Sequence, residues 1–268
     1  MYTFTAEKKQ KLSKACLKNV TGLSFSVFNK LLRNKDVKIN GARTGKDVLL
    51  EVGDTVVLYY VPTPVKPYSV IYADENVVII DKLSGFETAN VTESLKEEFP
   101  QATAVHRLDR NTSGIMVFAL NNDAENSLKK GFKAHSFNKT YRCTVFGVMR
   151  KESDVLVAYL KKDAQNSLVK IYDNFENGSV KIKTGYQVVS TNGETSDLKV
   201  TLYTGKTHQI RAHLAHVGHF IIGDGKYGNA RVNKKYNATR QKLKAEELTF
   251  HFERGDVLFY LNDKTFSV

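Results

Sequence analysis

Between two apolar runs, the stretch TAVHRLDRNTSGIMVFAL (residues 103–120) gathers His106, Arg107, Asp109 and Arg110 within five positions. An aspartate flanked by two arginines has two readings. One is a solvated ion-pair network, which this spacing produces with no chemistry attached. The other is a carboxylate kept ionised by cations in a partly buried cleft, where an adjacent guanidinium lowers an aspartate pKa by ~1–3 units. Such a carboxylate is a competent nucleophile. Its position suits a strand mouth: Asn111-Thr112-Ser113-Gly114 is turn chemistry, and residues 114–120 form an apolar strand pattern directly after it.

Two other stretches invite chemical readings. GDGKYG, residues 223–228, has the G-x-G-x-x-G spacing of a dinucleotide fingerprint. A fingerprint must open a sheet-packing helix, and the NARVNKKYNATRQK that follows is too polar for one. The histidines at 208, 213, 216 and 219 are dense enough to suggest a metal site. No H-E-x-x-H occurs and no carboxylate lies inside the stretch, so structural hydrogen bonding or packing along a binding groove accounts for them better than a catalytic metal.

The surrounding pattern predicts how these residues are held. Apolar spacing over residues 10–33, broken at Gly22, predicts two short helices. Strand patterns follow at 36–40, with a turn at Asn40-Gly41, then at 49–52 and 55–61. PTPVKP, residues 62–67, reads as a stiff linker between a small domain at 1–61 and a large one at 68–268. In the large domain strands are predicted at 77–81, 115–120, 141–148, 155–159, 184–189, 198–203 and 257–261. Helices are predicted at 91–99, 123–133, 209–217 and 242–247. Strands follow strands more often than they alternate with helices, which favours an α+β domain with a mixed, largely antiparallel twisted sheet.

Composition bounds the partners. The 268 residues carry 40 Lys and Arg against 28 Asp and Glu, a net charge of +12. Residues 1–60 hold 11 of the basic residues and 5 of the acidic ones, half of the surplus. A polyanion, nucleic acid above all, is the expected partner of such a surface. Two cysteines are too few for a disulfide framework or a four-thiolate metal site. No apolar stretch approaches the ~20 residues of a membrane span, and MYTFTAEKKQKLSK lacks the apolar segment of a secretory signal. A soluble, cytoplasmic monomer is expected.

HRLDRNTSG resembles the signature of the RluA-type pseudouridine synthases, which isomerise uridine in RNA. KTYRCTVFG (139–147) is similar to that family's tyrosine motif, and LYTGKTHQIRAHLAHVGHFIIGDGKYG (202–228) to its arginine motif. VFNKLLRNKDVKINGARTGKDVLLEVGDTV resembles the alpha-L RNA-binding module that many members carry ahead of the catalytic domain. The resemblance implies that Asp109 is the family's essential aspartate, acting during cleavage of the uracil–ribose bond. It implies that Arg211 pairs with that aspartate, that Tyr141 packs on the base and is a candidate for the deprotonation at carbon 5, and that Arg107 fills the gap in the RNA stack. His106, Arg110, Thr112, Lys206, His208 and Gln209 are the further RNA-binding candidates. No cofactor and no metal are expected, because isomerisation involves no redox step, phosphoryl group or external nucleophile. Large-subunit ribosomal RNA is the preferred substrate, with transfer RNA as the alternative. A catalytically inactive RNA-binding protein in ribosome assembly is the rival reading. Three departures stand out: Lys206 where arginine is usual, Leu83 in place of a common proline, and Cys143 in place of a small residue.

Overall fold

The computed structural model describes residues 1–20, 22–23, 25–60, 66–163, 165 and 167–268. The chain divides into two compact units, Met1–Val65 and Lys66–Val268. The expected linker at 62–67 lies largely outside the described residues.

The first unit runs β1 (Tyr2–Thr5), β2 (Gln10–Lys11), α1 (Leu12–Asn19), α2 (Phe25–Arg33), β3 (Val37–Ile39), β4 (Ala42–Thr44), β5 (Leu49–Leu50) and β6 (Thr55–Leu58). The two expected helices form because Leu12, Ala15 and Cys16 on one, and Phe28, Leu31 and Leu32 on the other, share a single core. α1 lacks a local side-chain cap, and Asp47 supplies one from elsewhere, accepting 2.8 Å bonds from the Ser13 N–H and hydroxyl. β1, β6, β3 and β4 pair in that order. Asn40 (φ 48°) and Gly41 (φ 85°) join β3 to β4 with the two positive φ angles that a twisted two-residue hairpin needs. The strand expected at 55–61 is described to Leu58, and residue 61 lies outside the described set.

The second unit begins with β7 (Tyr68–Ala73), β8 (Val77–Lys82), α3 (Thr88–Lys96), β9 (Thr103–Ala104), β10 (Ser113–Ala119), α4 (Asn122–Ala134) and β11 (Asn138–Phe146). It continues with β12 (Ser153–Asp163), β13 (Leu168–Tyr172), β14 (Val180–Thr191), β15 (Thr195–Leu202), α5 (Gln209–His216), α6 (Ala230–Lys235), β16 (Leu243–Thr249), a 3-10 turn at Phe259–Leu261 and β17 (Thr265–Ser267). The sheet order is β13-β12-β14-β15-β11-β16-β10-β8-β7, with β17 on β16 and β9 on β10. Its pairs are antiparallel except β10 with β16. The mixed α+β sheet expected from the pattern is therefore the one observed.

Alternation along β8 and β10 decides where the helices sit. Val77, Ile79, Ile115 and Val117 pack with Ala124 and Leu128 of α4, while Val78, Ile80, Met116 and Phe118 pack with Val91 and Leu95 of α3. Both faces of these central strands are covered, which explains their unbroken apolar runs. In the other half, Ile210 and Leu214 of α5 close over Cys143, Val145, Leu198 and Val200. Among the described residues no helix is long and apolar enough to cross a membrane.

Two expected elements are corrected. The helix expected at 242–247 is not formed: residues 243–247 are part of β16, because their backbone finds partners on both sides, in β10 and β11. Residues 257–261 are no strand. Leu258 and Leu261 are both buried at a spacing of three, which a 3-10 turn satisfies and strand alternation does not.

Candidate active site

Asp109 lies in the turn that enters β10, where the Thr112 N–H donates to the Asp109 carbonyl at 3.0 Å. The turn is tied from below. Lys82, fully buried at the end of β8, donates through its ammonium to the carbonyls of Phe86 (2.9 Å), Leu83 (3.0 Å) and Arg110 (3.3 Å). Burial pushes the Lys82 pKa down to about 8, against the pull of the Asp109 charge. Gly85 N–H and Ser84 hydroxyl donate to the Arg110 and Asn111 carbonyls, both at 2.8 Å. Beside the turn, the parallel pairing of β10 and β16 brings Gly114 against Ala245. Gly114 has φ +113°, and a Cβ there would lie 2.1 Å from the Ala245 oxygen, so only glycine allows this approach.

The cation that meets Asp109 is Arg211, 102 residues away on α5, rather than Arg107 or Arg110 beside it. One Arg211 Nη donates to Asp109 Oδ2 at 2.7 Å. The opposite edge of the guanidinium grips Asp224, Nε to Oδ2 at 2.7 Å and the other Nη to Oδ1 at 2.9 Å. Exposure of the three side chains is graded: Asp224 1%, Arg211 7%, Asp109 20%. Burial works against the charge on Arg211, yet the two carboxylates outweigh it and raise its pKa. Burial also opposes the charge on Asp224, and Arg211 with the Lys226 and Tyr227 N–H groups overcomes it, holding this carboxyl below its usual range.

Asp109 and Arg211 open onto a cavity of about 310 Å3 that Tyr141 also lines. Tyr141 stands on β11 where the register with β16 shifts by one residue, the kind of irregularity that re-aims a side chain at a site. Burial, and then the Asp109 charge, raise its phenol pKa well above the ordinary value, so the hydroxyl keeps its proton at neutral pH. His208 Nε2 lies 3.9 Å from Asp109 Oδ2.

Nine of the ten residues singled out from the sequence line this cavity. Arg107 and Lys206 are exposed there. His106 accepts the Val117 N–H on Nε2 at 3.0 Å and stacks on Phe132, with 4.4 Å between ring centroids. Thr112 and Gln209 reach the wall but are buried and bonded within the protein. Thr112 accepts from Gln241 at 2.7 Å, while Gln209 accepts from the Thr204 hydroxyl at 2.9 Å and donates to Thr184 at 3.0 Å. As placed, both brace the cavity wall. Arg110 lies outside the cavity lining, and its Nε donates to the Gly85 carbonyl at 3.1 Å.

The histidines that suggested a metal each have separate partners. His208 meets the Tyr227 hydroxyl, His213 the Thr184 hydroxyl, His216 the Asp173 carboxylate and His219 the Phe146 carbonyl. GDGKYG forms a turn rather than a helix opening, and it is its aspartate that meets Arg211. Asp224, Lys82, Tyr227 and Lys139 were not singled out. A charged residue ending an apolar run was the available signal at VVIIDK and FIIGD, since a charge at such a position must be paired.

Residues 65–216 match the family described as RNA pseudouridylate synthase. The dual-specificity RNA pseudouridine synthase RluA of Yersinia pestis is 33% identical over 202 residues, covering 71% of this chain and 96% of that protein. The ribosomal large subunit pseudouridine synthase C of Vibrio cholerae is 29% identical over 253 residues, covering 84% of this chain and 78% of that one. Among solved structures, human RNA pseudouridylate synthase domain containing 1 superposes with a TM-score of 0.62 at 23% identity, over 70% of this chain and 80% of that chain, a likeness of fold. With the matched segment running from β7 through α5 and taking in Asp109, Tyr141 and Arg211, this chain belongs to the RNA pseudouridylate synthase family.

Proposed function

We propose that this protein converts particular uridines of large-subunit ribosomal RNA to pseudouridine, with Asp109, Arg211 and Tyr141 as its chemical centre. The observation that carries the reading is the 2.7 Å bond from Arg211 to Asp109 at the mouth of a cavity that Tyr141 also lines. A permanently charged, planar guanidinium keeps an aspartate ionised in a partly dry site better than a lysine does. The target base leaves its helix, at a cost of a few kcal/mol, and stacking on an aromatic ring returns ~1–3 kcal/mol. In this reading the exposed Arg107 occupies the vacated place in the RNA stack. Asp109 acts while the bond from uracil N1 to the ribose breaks, and the base turns and rejoins the same ribose through carbon 5. Tyr141, which lines the same cavity, packs on the base in this reading and is the candidate to take the carbon 5 proton.

The preference for ribosomal RNA draws support from the Vibrio cholerae relative, named for the large ribosomal subunit, whose match covers more of this chain than the second unit alone contains. The first unit is read as an alpha-L module that grips RNA through its excess lysines, giving affinity that falls steeply with salt. The reading has the protein act as a monomer in the cytoplasm. Asp109→Asn is expected to keep the fold and RNA affinity while abolishing pseudouridine formation, scored by carbodiimide labelling of an in vitro transcript. A variant with full activity refutes the role. Mapping which uridines go unmodified in a strain lacking the gene decides between ribosomal and transfer RNA.

A further inference from the structure

Resting on the reading above, we propose that Tyr227 holds His208 with its proton on Nε2 and that this N–H donates to a carbonyl oxygen of the uracil in the cavity. The argument starts at the hydroxyl of Tyr227. It accepts the Val169 N–H at 2.9 Å and lies 2.9 Å from His208 Nδ1. If Nδ1 carried the proton, the hydroxyl oxygen would receive two donors and its own hydrogen would have no acceptor among the described residues. Turned the other way, every group is matched: Val169 N–H donates to the tyrosine oxygen, and the tyrosine O–H donates to Nδ1. The histidine proton then sits on Nε2.

His208 lines the cavity, and its Nε2 lies on the Asp109 side. Its nearest anion, Asp109 Oδ2, is 3.9 Å away, too far for a hydrogen bond and already bonded to Arg211. The backbone contributes to this aim, because His208 sits at φ 55° immediately before α5, in the left-handed region that histidine tolerates better than most residues. The tyrosine ring also packs against the Arg211 guanidinium at 5.3 Å, so the device is fixed to the same helix as the ion pair. Burial, opposed by the Asp109 charge and aided by Arg211 and Lys226, lowers the His208 pKa, and burial raises that of Tyr227. Both shifts favour a neutral ring and a protonated phenol.

A fixed N–H donor matches the chemistry of uracil. Its two carbonyl oxygens take up negative charge when the base separates from ribose, and a donor already in place stabilises that charge without reorganising. His208 forms no covalent bond in this scheme and transfers no proton; it only donates. Tyr227 is a positioning residue.

The test is a 15N-resolved NMR tautomer measurement on the full-length wild-type protein. The chain has 7 histidines, and the His208 signal is assigned by its loss in His208→Asn. The expected spectrum shows a protonated Nε2 and a bare Nδ1 at pH 7, and Tyr227→Phe mixes the two tautomers. On an in vitro transcript of large-subunit ribosomal RNA, His208→Ala should lose about 10²-fold in kcat with KM nearly constant. His208→Asn, which keeps an amide donor and tolerates positive φ, should retain more activity than the alanine variant. An active wild type whose His208 carries its proton on Nδ1, or is a cation at pH 7, overturns this inference alone. A folded alanine variant with unchanged kcat does the same. A wild type that makes no pseudouridine overturns both this inference and the activity it rests on.

Discussion

Replacing Asp224 by asparagine separates the support of Arg211 from the chemistry of Asp109. The guanidinium makes two of its three carboxylate bonds to Asp224, at 2.7 and 2.9 Å, in a place where that carboxylate is 1% exposed. An asparagine of the same shape keeps one acceptor oxygen and turns an NH2 toward a guanidinium N–H, so one bond survives and the other becomes a donor facing a donor. Breaking a buried pair costs ~3–5 kcal/mol; with Asp109 still bonded to the cation and one acceptor retained, the loss here is about 2–4 kcal/mol. For a unit of this size that corresponds to a fall of roughly 5–15 °C in the melting temperature. The pH dependence carries a second signature. Because Arg211 holds the Asp224 carboxyl below its ordinary value, its contribution is present above the unfolded-state pKa and lost as pH falls through the folded one, so the variant should show a flatter acid limb. Thermal unfolding of the full-length protein from pH 3 to 7 reads both quantities. Glu93→Gln, which removes an exposed surface pair with Lys96, is the control and should shift nothing measurable. An Asp224→Asn variant that melts with the wild type and keeps its acid limb refutes the argument that this carboxylate supports the site.

Two further outcomes follow from the same geometry. Burial, reinforced by the Lys139 charge, holds the His106 pKa down to about 3, whereas the unfolded ring takes its proton near 6.5. Between those values the unfolded chain binds a proton that the native state does not. Stability should therefore rise with pH across that window, and His106→Gln, which keeps an acceptor for Val117, should lessen the slope in urea titrations; an unaltered slope excludes the cause. Gly114→Ala would force a Cβ to within 2.1 Å of a carbonyl oxygen at φ +113°, a strain of about 3 kcal/mol or more, so a melting temperature equal to the wild type contradicts the close approach of β10 and β16.

Much of this architecture is legible in residue order because its decisive contacts repeat at short period. The apolar alternation of β8 and β10 and the turn before Gly114 are local signals, and they place Asp109 at a strand mouth without any knowledge of the fold. The partner of Asp109 is a different matter. Local spacing points to Arg107 and Arg110, and it is the motif resemblance that points to Arg211. For Asp224 the one local signal is its place at the end of the apolar run FII, and a carboxylate inside a glycine-rich turn looks like turn chemistry until a cation from another element is seen to meet it. The misread 242–247 shows the same limit from the side of secondary structure. Lysine and glutamate at close spacing favour a helix in isolation, but a segment flanked on both sides by strand edges gains more from the sheet.

In the proposed function, the shared guanidinium lets Asp109 be held in place without being enclosed. A carboxylate surrounded by several strong donors is stabilised as an anion and is a correspondingly poor nucleophile. Asp109 avoids that: among the described residues Oδ2 receives the single bond from Arg211, and no hydrogen bond reaches Oδ1. Asp224 makes this possible. By engaging the Nε edge with two bonds it fixes the plane of the guanidinium and offsets part of its charge, so the remaining Nη orients Asp109 without enclosing it. The two carboxylates and one guanidinium leave one net negative charge, with Asp109 the most exposed of the three. An RNA backbone would be repelled from such a centre were the rim not basic, and Arg107, Lys139 and Lys206, which line the same cavity, supply the opposite sign. The division is physical. Under the proposed function, long-range attraction belongs mainly to the exposed Arg107 and Lys206, which salt can screen, and the chemistry to a partly buried, hydrogen-bonded pair that it screens far less.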